Sequence, residues 1–246
     1  MLLAILGILA GLALLTYAAD QFVVGAARIA TTLRMSTVVI GAVVIGFGTS
    51  APELLVTGIA AFEGSVNIAI GNVVGSNVAN LTLVLGIAAM ITPIAVRSTV
   101  LKREAPLSLL AVVLFGLIIQ GGGVSWAGGV VLLITLAVSL TIIVAMARRD
   151  AGGELSVEVE EYLEAHPSTG RETARTLIGL ALTLGAAWIV VGSARSISAE
   201  LGLAEGFVGL TIVAIGTSLP ELATAVQSAR SGETDLIVGN LLGSYL

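Results

Sequence analysis

The chain has no cysteine in its 246 residues and a single histidine, His166. Disulfides and thiolate metal sites are therefore excluded, and no thiol or imidazole is available within any apolar stretch. Charge is scarce as well. Asp, Glu, Lys and Arg make up 11% of the residues, against roughly 25% in a soluble globular domain. What takes their place is apolar: 57% of residues are hydrophobic, and mean hydropathy is +1.07. Such a chain is built for lipid.

The apolar residues recur in runs on the scale of a ~30 Å hydrocarbon core, which takes about 20 helical residues to cross. They cover 2–19, 38–62, 68–91, 107–120, 124–147, 177–197 and 207–226, and an eighth begins near Leu236. Backbone in lipid must satisfy its own hydrogen bonds, and runs this long do so as helices rather than barrel strands. The expected fold is all-α: a polytopic membrane protein with seven full transmembrane helices and the start of an eighth. The first run lacks the positive flank of a signal peptide and exceeds its usual apolar length, so it reads as a true first helix. Net charge is −5, but the placement of positive residues says more. With the N-terminus outside, Arg28, Arg34, Arg97, Lys102, Arg103, Arg148, Arg149, Arg171, Arg175 and Arg230 fall on the cytoplasmic side, leaving Arg195 as the exception. The positive-inside rule thus orients the chain N-out. The lipid bilayer is the expected surrounding, and no nucleic-acid partner is expected.

One heptapeptide is written twice: GTSAPEL at 48–54 and GTSLPEL at 216–222. An offset of 168 maps Glu53 to Glu221, Gly64 to Gly232, and GNVVGS at 71–76 to GNLLGS at 239–244. Glu53 falls in the second run and Glu221 in the seventh, so the repeating unit holds five helices. Five is odd, and the second copy must cross the membrane upside down relative to the first. The chain divides on this reading into a first repeat at 1–147, a cytoplasmic loop at 148–175 and an incomplete inverted repeat at 176–246. Inverted repeats mark secondary transporters, whose sites lie at the midplane where the repeats meet. Duplication of a bare scaffold explains the repeat but not two carboxylates kept in apolar surroundings.

Counting places those carboxylates. From Glu53 to the helix end at Phe62 is nine residues, about 13 Å at 1.5 Å per residue. A turn at EGSV and nine residues back from Asn67 bring Ser76 to the level of Glu53, near the middle of the core. Spacings of four and three put Thr49 and Ser50 on one helical face with Glu53, and Asn72, Ser76 and Asn80 form a second stripe. Carboxylate, hydroxyl and amide oxygens are hard ligands, which suit Ca²⁺ better than Mg²⁺ or Zn²⁺. Glu53 and Glu221 together would neutralise one divalent ion, and neutralisation makes the pair tolerable at that depth. Pro52 and Pro220 lack a donor, so each kinks its helix and leaves the carbonyl of Gly48 or Gly216 unpaired. Freed carbonyls of broken helices recur in Na⁺ sites.

Other features read as structure. Gly71 and Gly75, at GxxxG spacing, are expected to be packing contacts. Asp20 has Trp188 at its offset position and is expected to be a structural hydrogen-bonding group. Glu154, Glu158, Glu160, Glu161 and Glu164 lack EF-hand spacing and read as a solvated amphipathic loop. His166 is assigned no role.

At GTSAPEL…GNVVGSNVAN and GTSLPEL…GNLLGS the chain resembles the sodium/calcium exchanger family of cation/Ca²⁺ antiporters, above all its short prokaryotic members. The two α-repeat motifs of that family fall at 41–80 and 209–246. The resemblance implies ten helices in two inverted five-helix repeats, and exchange of three Na⁺ for one Ca²⁺ by alternating access. It implies a prokaryotic inner membrane, no cofactor beyond the transported Ca²⁺ and Na⁺, no enzymatic activity, and a full-length protein that works as a monomer. It makes Glu53 and Glu221 the central Ca²⁺ and Na⁺ ligands. Thr49, Ser50, Thr217 and Ser218 would add hydroxyls and carbonyls, Ser76 and Ser244 would serve peripheral Na⁺ sites, and Asn80 would face the centre. Gly46 and Ala214 match positions that give backbone carbonyls to Na⁺. Related proton/calcium exchangers carry a glutamate shortly after GN, and GNVVGSN favours Na⁺ coupling instead. The second motif departs from the pattern: Tyr245 stands where the first repeat has Asn77, and the twin of Asn80 would fall at 248. The rest of helix eight and helices nine and ten would likewise lie beyond Leu246, so the sequence reads as the greater part of an exchanger. The alternatives are a Ca²⁺/H⁺ exchanger, a non-transporting ion-binding fragment, and an intramembrane hydrolase using two carboxylates, which the oxygen-rich surroundings disfavour.

Overall fold

The computed structural model describes residues 1–33, 35, 40, 46–95, 98–149, 168–232 and 234–245, and every regular element among them is helical. The acidic loop residues, His166, Arg34 and Arg97 lie outside the described residues. In chain order the helices are α1 (Leu2–Thr32), α2 (Gly46–Thr49), α3 (Ala51–Phe62), α4 (Val66–Ala79), α5 (Leu85–Ile91), α6 (Ser98–Ile119), α7 (Trp126–Arg149), α8 (Thr169–Leu201), α9 (Glu205–Val208), α10 (Ala214–Thr217), α11 (Leu219–Ser231) and α12 (Thr234–Gly243). Two π-helical turns, Asn80–Val84 and Gly209–Val213, join α4 to α5 and α9 to α10.

Among the described residues, four helical stretches are long and apolar enough to cross a membrane: Leu2–Thr32, Val66–Ile91, Trp126–Ala145 and Thr169–Leu201. The pair Glu205–Thr217 and Leu219–Ser231 is long and apolar enough only when taken together, and is bent by 42° at its break, while Ala51–Phe62 and Ala105–Ile119 are apolar but shorter. Leu3, Leu133, Leu177 and Ile178 point outward and exposed, as lipid-facing side chains do.

α1 and α8 form the spine, and small residues decide how closely they approach. A Cβ added to Gly11 would lie 2.9 Å from the Val190 side chain, and one added to Gly179 would lie 2.7 Å from the backbone nitrogen of Phe22. Gly7 faces Ser193, and Gly25 faces Thr176. As numbers rise along α1 they fall along α8, so the two helices run antiparallel. The contacts also obey the offset, since Gly11 and Gly179 are 168 apart, as are Phe22 and Val190. Without a hydrophobic force between helices in lipid, close backbone approach and dispersion hold such pairs together. Glu172, 4% exposed, adds a charged contact at one end, 3.3 Å from Arg28 and 3.6 Å from Arg175. At the other end Arg195 pairs with Glu63 at 3.2 Å, and the Met1 ammonium meets Glu200.

The core lies between this spine and α3, α4 and α9: Leu15, Val56, Ile68, Val190, Val191, Val208 and Val213 are fully buried. A second cluster, Val84, Ala88, Ala225, Ala229, Ile237 and Leu241, packs α5 against α11 and α12. Gly71 and Gly75 are packing contacts, as their spacing suggested. A Cβ on Gly71 would strike the carbonyl oxygen of Gly206, and one on Gly75 that of Leu210.

The offset also governs backbone conformation. The chain breaks between α2 and α3 at Ser50 (φ −89°, ψ 8°) and between α10 and α11 at Ser218 (φ −85°, ψ 6°). The turn glycines Gly64 and Gly232 sit in the left-handed region at φ +80° and +79°, which glycine adopts without a side-chain penalty.

Candidate ion-binding site

The two breaks, facing each other through Ser218 and Glu53, bring four helix ends together. α2 and α10 end there, while α3 and α11 begin there with Pro52 and Pro220 in the first turn. Glu53 and Glu221 occupy those same first turns. A helix N-terminus favours a carboxylate, and C-terminal carbonyls favour a cation.

The break changes one geometric expectation. Because the helix stops at Thr49 and restarts at Ala51, Thr49, Ser50 and Glu53 do not share one continuous face. Thr49 Oγ1 instead donates to Asn240 Oδ1 at 3.0 Å. The residue that faces Glu53 is Ser218, whose Oγ donates to Glu53 Oε1 at 3.3 Å across 165 positions of sequence. Asn72 on α4 reaches α3, its Nδ2 donating to Thr57 Oγ1 at 3.0 Å and to the Glu53 carbonyl at 3.4 Å, a pairing of 57 with 72 in the same register that sets Ser76 level with Glu53. Ser76, 6% exposed, donates to the Val73 carbonyl at 3.2 Å.

The remaining expected residues lie on neighbouring elements. Asn80 opens the first π-helical turn, and its Nδ2 donates to Ser244 Oγ at 2.9 Å, just past α12. Ser244 gives its own proton to the Leu241 carbonyl at 2.8 Å. π-helical turns recur at functional sites, and both of this chain's described turns flank the centre. Thr217 is fully buried and has the Asn72 Oδ1 and the Ala214 carbonyl each at 3.2 Å. Gly46 and Ala214 are the first residues of α2 and α10.

Five buried oxygens in this region have no hydrogen-bond partner among the described residues: Ser50 Oγ, Glu53 Oε2, Asn80 Oδ1 and both carboxylate oxygens of Glu221. Glu221 is wholly buried. An unpaired buried polar atom costs about 1–3 kcal/mol and more when charged, so five acceptors together call for a cation. Among the described residues no three His, Cys, Asp or Glu side chains converge. The donor set is therefore two carboxylates with hydroxyl, amide and carbonyl oxygens, which is hard-cation chemistry.

Asn240 was not singled out as a site residue from sequence. Its signal was the GN dipeptide, present in both repeats at the common offset. Asp20 accepts from Gln21 Nε2 at 2.9 Å on the exposed side of α1, and Gln21 Oε1 accepts from Arg175 at 2.7 Å.

A helical membrane protein with paired broken helices around buried carboxylates belongs, by architecture, among the secondary transporters. The profile of the family described as "Sodium/calcium exchanger protein" matches residues 3–145 and 172–246, and the chain is a member of that family of membrane exchangers, which are transporters rather than enzymes. It is 38% identical over its whole length to the putative antiporter CaxA of Alkalimonas amylolytica, spanning 77% of that protein. It is 30% identical to the sodium/calcium exchanger MaX1 of Methanosarcina acetivorans, with 97% of this chain and 78% of that one aligned. The structure of the sodium/calcium exchanger from Methanococcus jannaschii matches with a TM-score of 0.55 at 34% identity, covering 99% of this chain and 77% of that one.

Proposed function

We propose that the chain exchanges Na⁺ for Ca²⁺ across the membrane by alternating access, with Glu53 and Glu221 as the shared central ligands. The observation that carries this reading is the set of buried acceptor oxygens at the meeting of the two helix breaks. Ca²⁺ takes six to eight oxygens in a flexible shell, and two carboxylates balance its charge. Thr49, Ser50, Thr217, Ser218 and Asn80 complete the shell, while Ser76, Ser244, Gly46 and Ala214 serve Na⁺.

The antiparallel run of α1 and α8 at one sequence offset supports the inverted repeat, with 1–147 and 176–246 as its halves. Ten cytoplasmic basic residues support an N-out orientation in a prokaryotic inner membrane. E. coli inner membrane protein YrbG, 38% identical over 249 residues, is a relative by name from that compartment. The full-length protein is proposed to act as a monomer.

Reconstituted vesicles test the reading. Ca²⁺ uptake driven by an opposing Na⁺ gradient is the expected result. Uptake driven by a proton gradient and indifferent to Na⁺ would assign a Ca²⁺/H⁺ exchanger, and Ca²⁺ binding without flux would assign a non-transporting protein.

A further inference from the structure

We propose that Asn72 and Asn240 are positioning residues that decide where the site threonines point their hydroxyl protons, and that Asn72 thereby opens the Ala214 carbonyl to Na⁺. The inference rests on the Na⁺/Ca²⁺ reading above.

Two hydrogen bonds carry it. Thr217 donates to Asn72 Oδ1 at 3.2 Å, and Thr49 donates to Asn240 Oδ1 at 3.0 Å. Thr49 and Thr217 are 168 apart, and so are Asn72 and Asn240. The same bond is thus made twice, each time between residues of opposite repeats. The orientation of Asn72 follows from its surroundings. The Glu53 carbonyl can only accept, so the amide NH₂ must face it and Thr57 Oγ1, at 3.4 and 3.0 Å. That leaves Oδ1 toward Thr217.

A threonine hydroxyl has one proton and two lone pairs. Thr217 Oγ1 lies 3.2 Å from Asn72 Oδ1 and 3.2 Å from the Ala214 carbonyl, and one proton serves one of them at a time. The Ala214 carbonyl already accepts the Ser218 N–H at 3.1 Å. If it takes the Thr217 proton as well, both its lone pairs are committed and it has nothing for Na⁺. When Asn72 takes that proton, the carbonyl keeps a lone pair free. Asn72 touches no ion in this scheme; it acts through Thr217.

A double-mutant cycle tests this, read as Ca²⁺ binding by calorimetry in detergent with Na⁺ as the competitor. Asn72→Leu keeps the branched outline with added bulk, and removes the acceptor together with the donors to Thr57 and the Glu53 carbonyl. It should raise the Na⁺ that displaces half the bound Ca²⁺ by about fivefold, after correction for Ca²⁺ affinity, the value of one hydrogen bond. In a Thr217→Val background no hydroxyl can block Ala214, and the same Asn72→Leu change should leave the Na⁺ midpoint where Thr217→Val puts it. An equal shift in both backgrounds would show that Asn72 acts through Thr57 or the α3 backbone and would overturn the inference. So would an unchanged Na⁺ midpoint in Asn72→Leu when the wild type responds to Na⁺. A wild type whose Ca²⁺ binding ignores Na⁺ defeats the exchange reading itself, and the inference with it. If Asn72→Leu elutes as aggregate, Asn72→Ala with Thr217→Val runs the same cycle without added bulk, and equal shifts there overturn the proposal equally.

Discussion

Ser218 Oγ donates to Glu53 Oε1 at 3.3 Å, so the residue at which the second helix pair breaks holds the carboxylate of the first. The proton of Ser218 fixes one oxygen of Glu53 and leaves Oε2 without a partner among the described residues. Ser218→Ala frees the Glu53 carboxylate to rotate. A hydrogen bond to a charged group is worth about 1.5–3 kcal/mol, so Ca²⁺ affinity should fall by roughly ten- to a hundredfold with folding intact. Calorimetry on the purified variant checks this, and unchanged affinity would remove Ser218 from the site.

The carboxylates themselves are less forgiving. Glu53→Gln or Glu221→Gln leaves half the charge of a divalent ion uncompensated in a buried place. Breaking one partner of a buried charge pair costs about 3–5 kcal/mol, so each variant should lose at least on the order of a hundredfold in Ca²⁺ affinity and all measurable exchange. Near-normal Ca²⁺ flux in either variant would show that the central ligands lie elsewhere.

Ser76 should separate the two ions. Its hydroxyl proton goes to the Val73 carbonyl at 3.2 Å, which turns its lone pairs away from its own helix. Ser76→Ala should weaken the Na⁺ dependence of exchange several-fold more than Ca²⁺ binding, since monovalent sites depend on neutral oxygens more than the divalent site does. A Na⁺ titration that superimposes on the wild type would count against a peripheral Na⁺ role.

The packing prediction is independent of transport. Gly75 faces the Leu210 backbone and the Ala214 side chain with no room for a methyl group, whereas Gly58 has nothing within 4 Å of its would-be Cβ. Gly75→Ala should destabilise by about 1–3 kcal/mol through overpacking. Gly58→Ala should be neutral or slightly stabilising, because alanine is the better helix former. Thermal unfolding in detergent compares the two, and equal melting temperatures would contradict the close approach of α4 and α10.

Much of this was legible in the letters. A fixed offset of 168 is a property of the sequence, and it found both glutamates, both prolines and the glycines of both turns. Composition alone gave a helical membrane protein. What spacing could not show was the break at Ser50 and Ser218. A proline predicts a kink somewhere in the preceding turn, but which residue leaves the helix depends on tertiary partners, so the face shared by Thr49 and Glu53 did not survive. The threonine partners of Asn72 and Asn240 were hidden for a related reason: these bonds span 145 and 191 positions and link opposite repeats, where no periodicity reaches. Glu172 carried no signal in the sequence, and only the docking of α8 on α1 makes it a buried partner of Arg28 and Arg175.

The most direct test of the account is competition between the two ions for one pair of glutamates. Ca²⁺ binding to the wild-type chain is measured by calorimetry in detergent while Na⁺ is raised, and separately while Mg²⁺ is raised. Na⁺ should displace Ca²⁺ with a Hill coefficient above one, because several monovalent ions replace one divalent ion. Mg²⁺ should compete poorly, since it dehydrates reluctantly and demands an octahedron that this oxygen shell does not impose. Ca²⁺ binding that stays constant at every Na⁺ concentration would contradict exchange at a shared site.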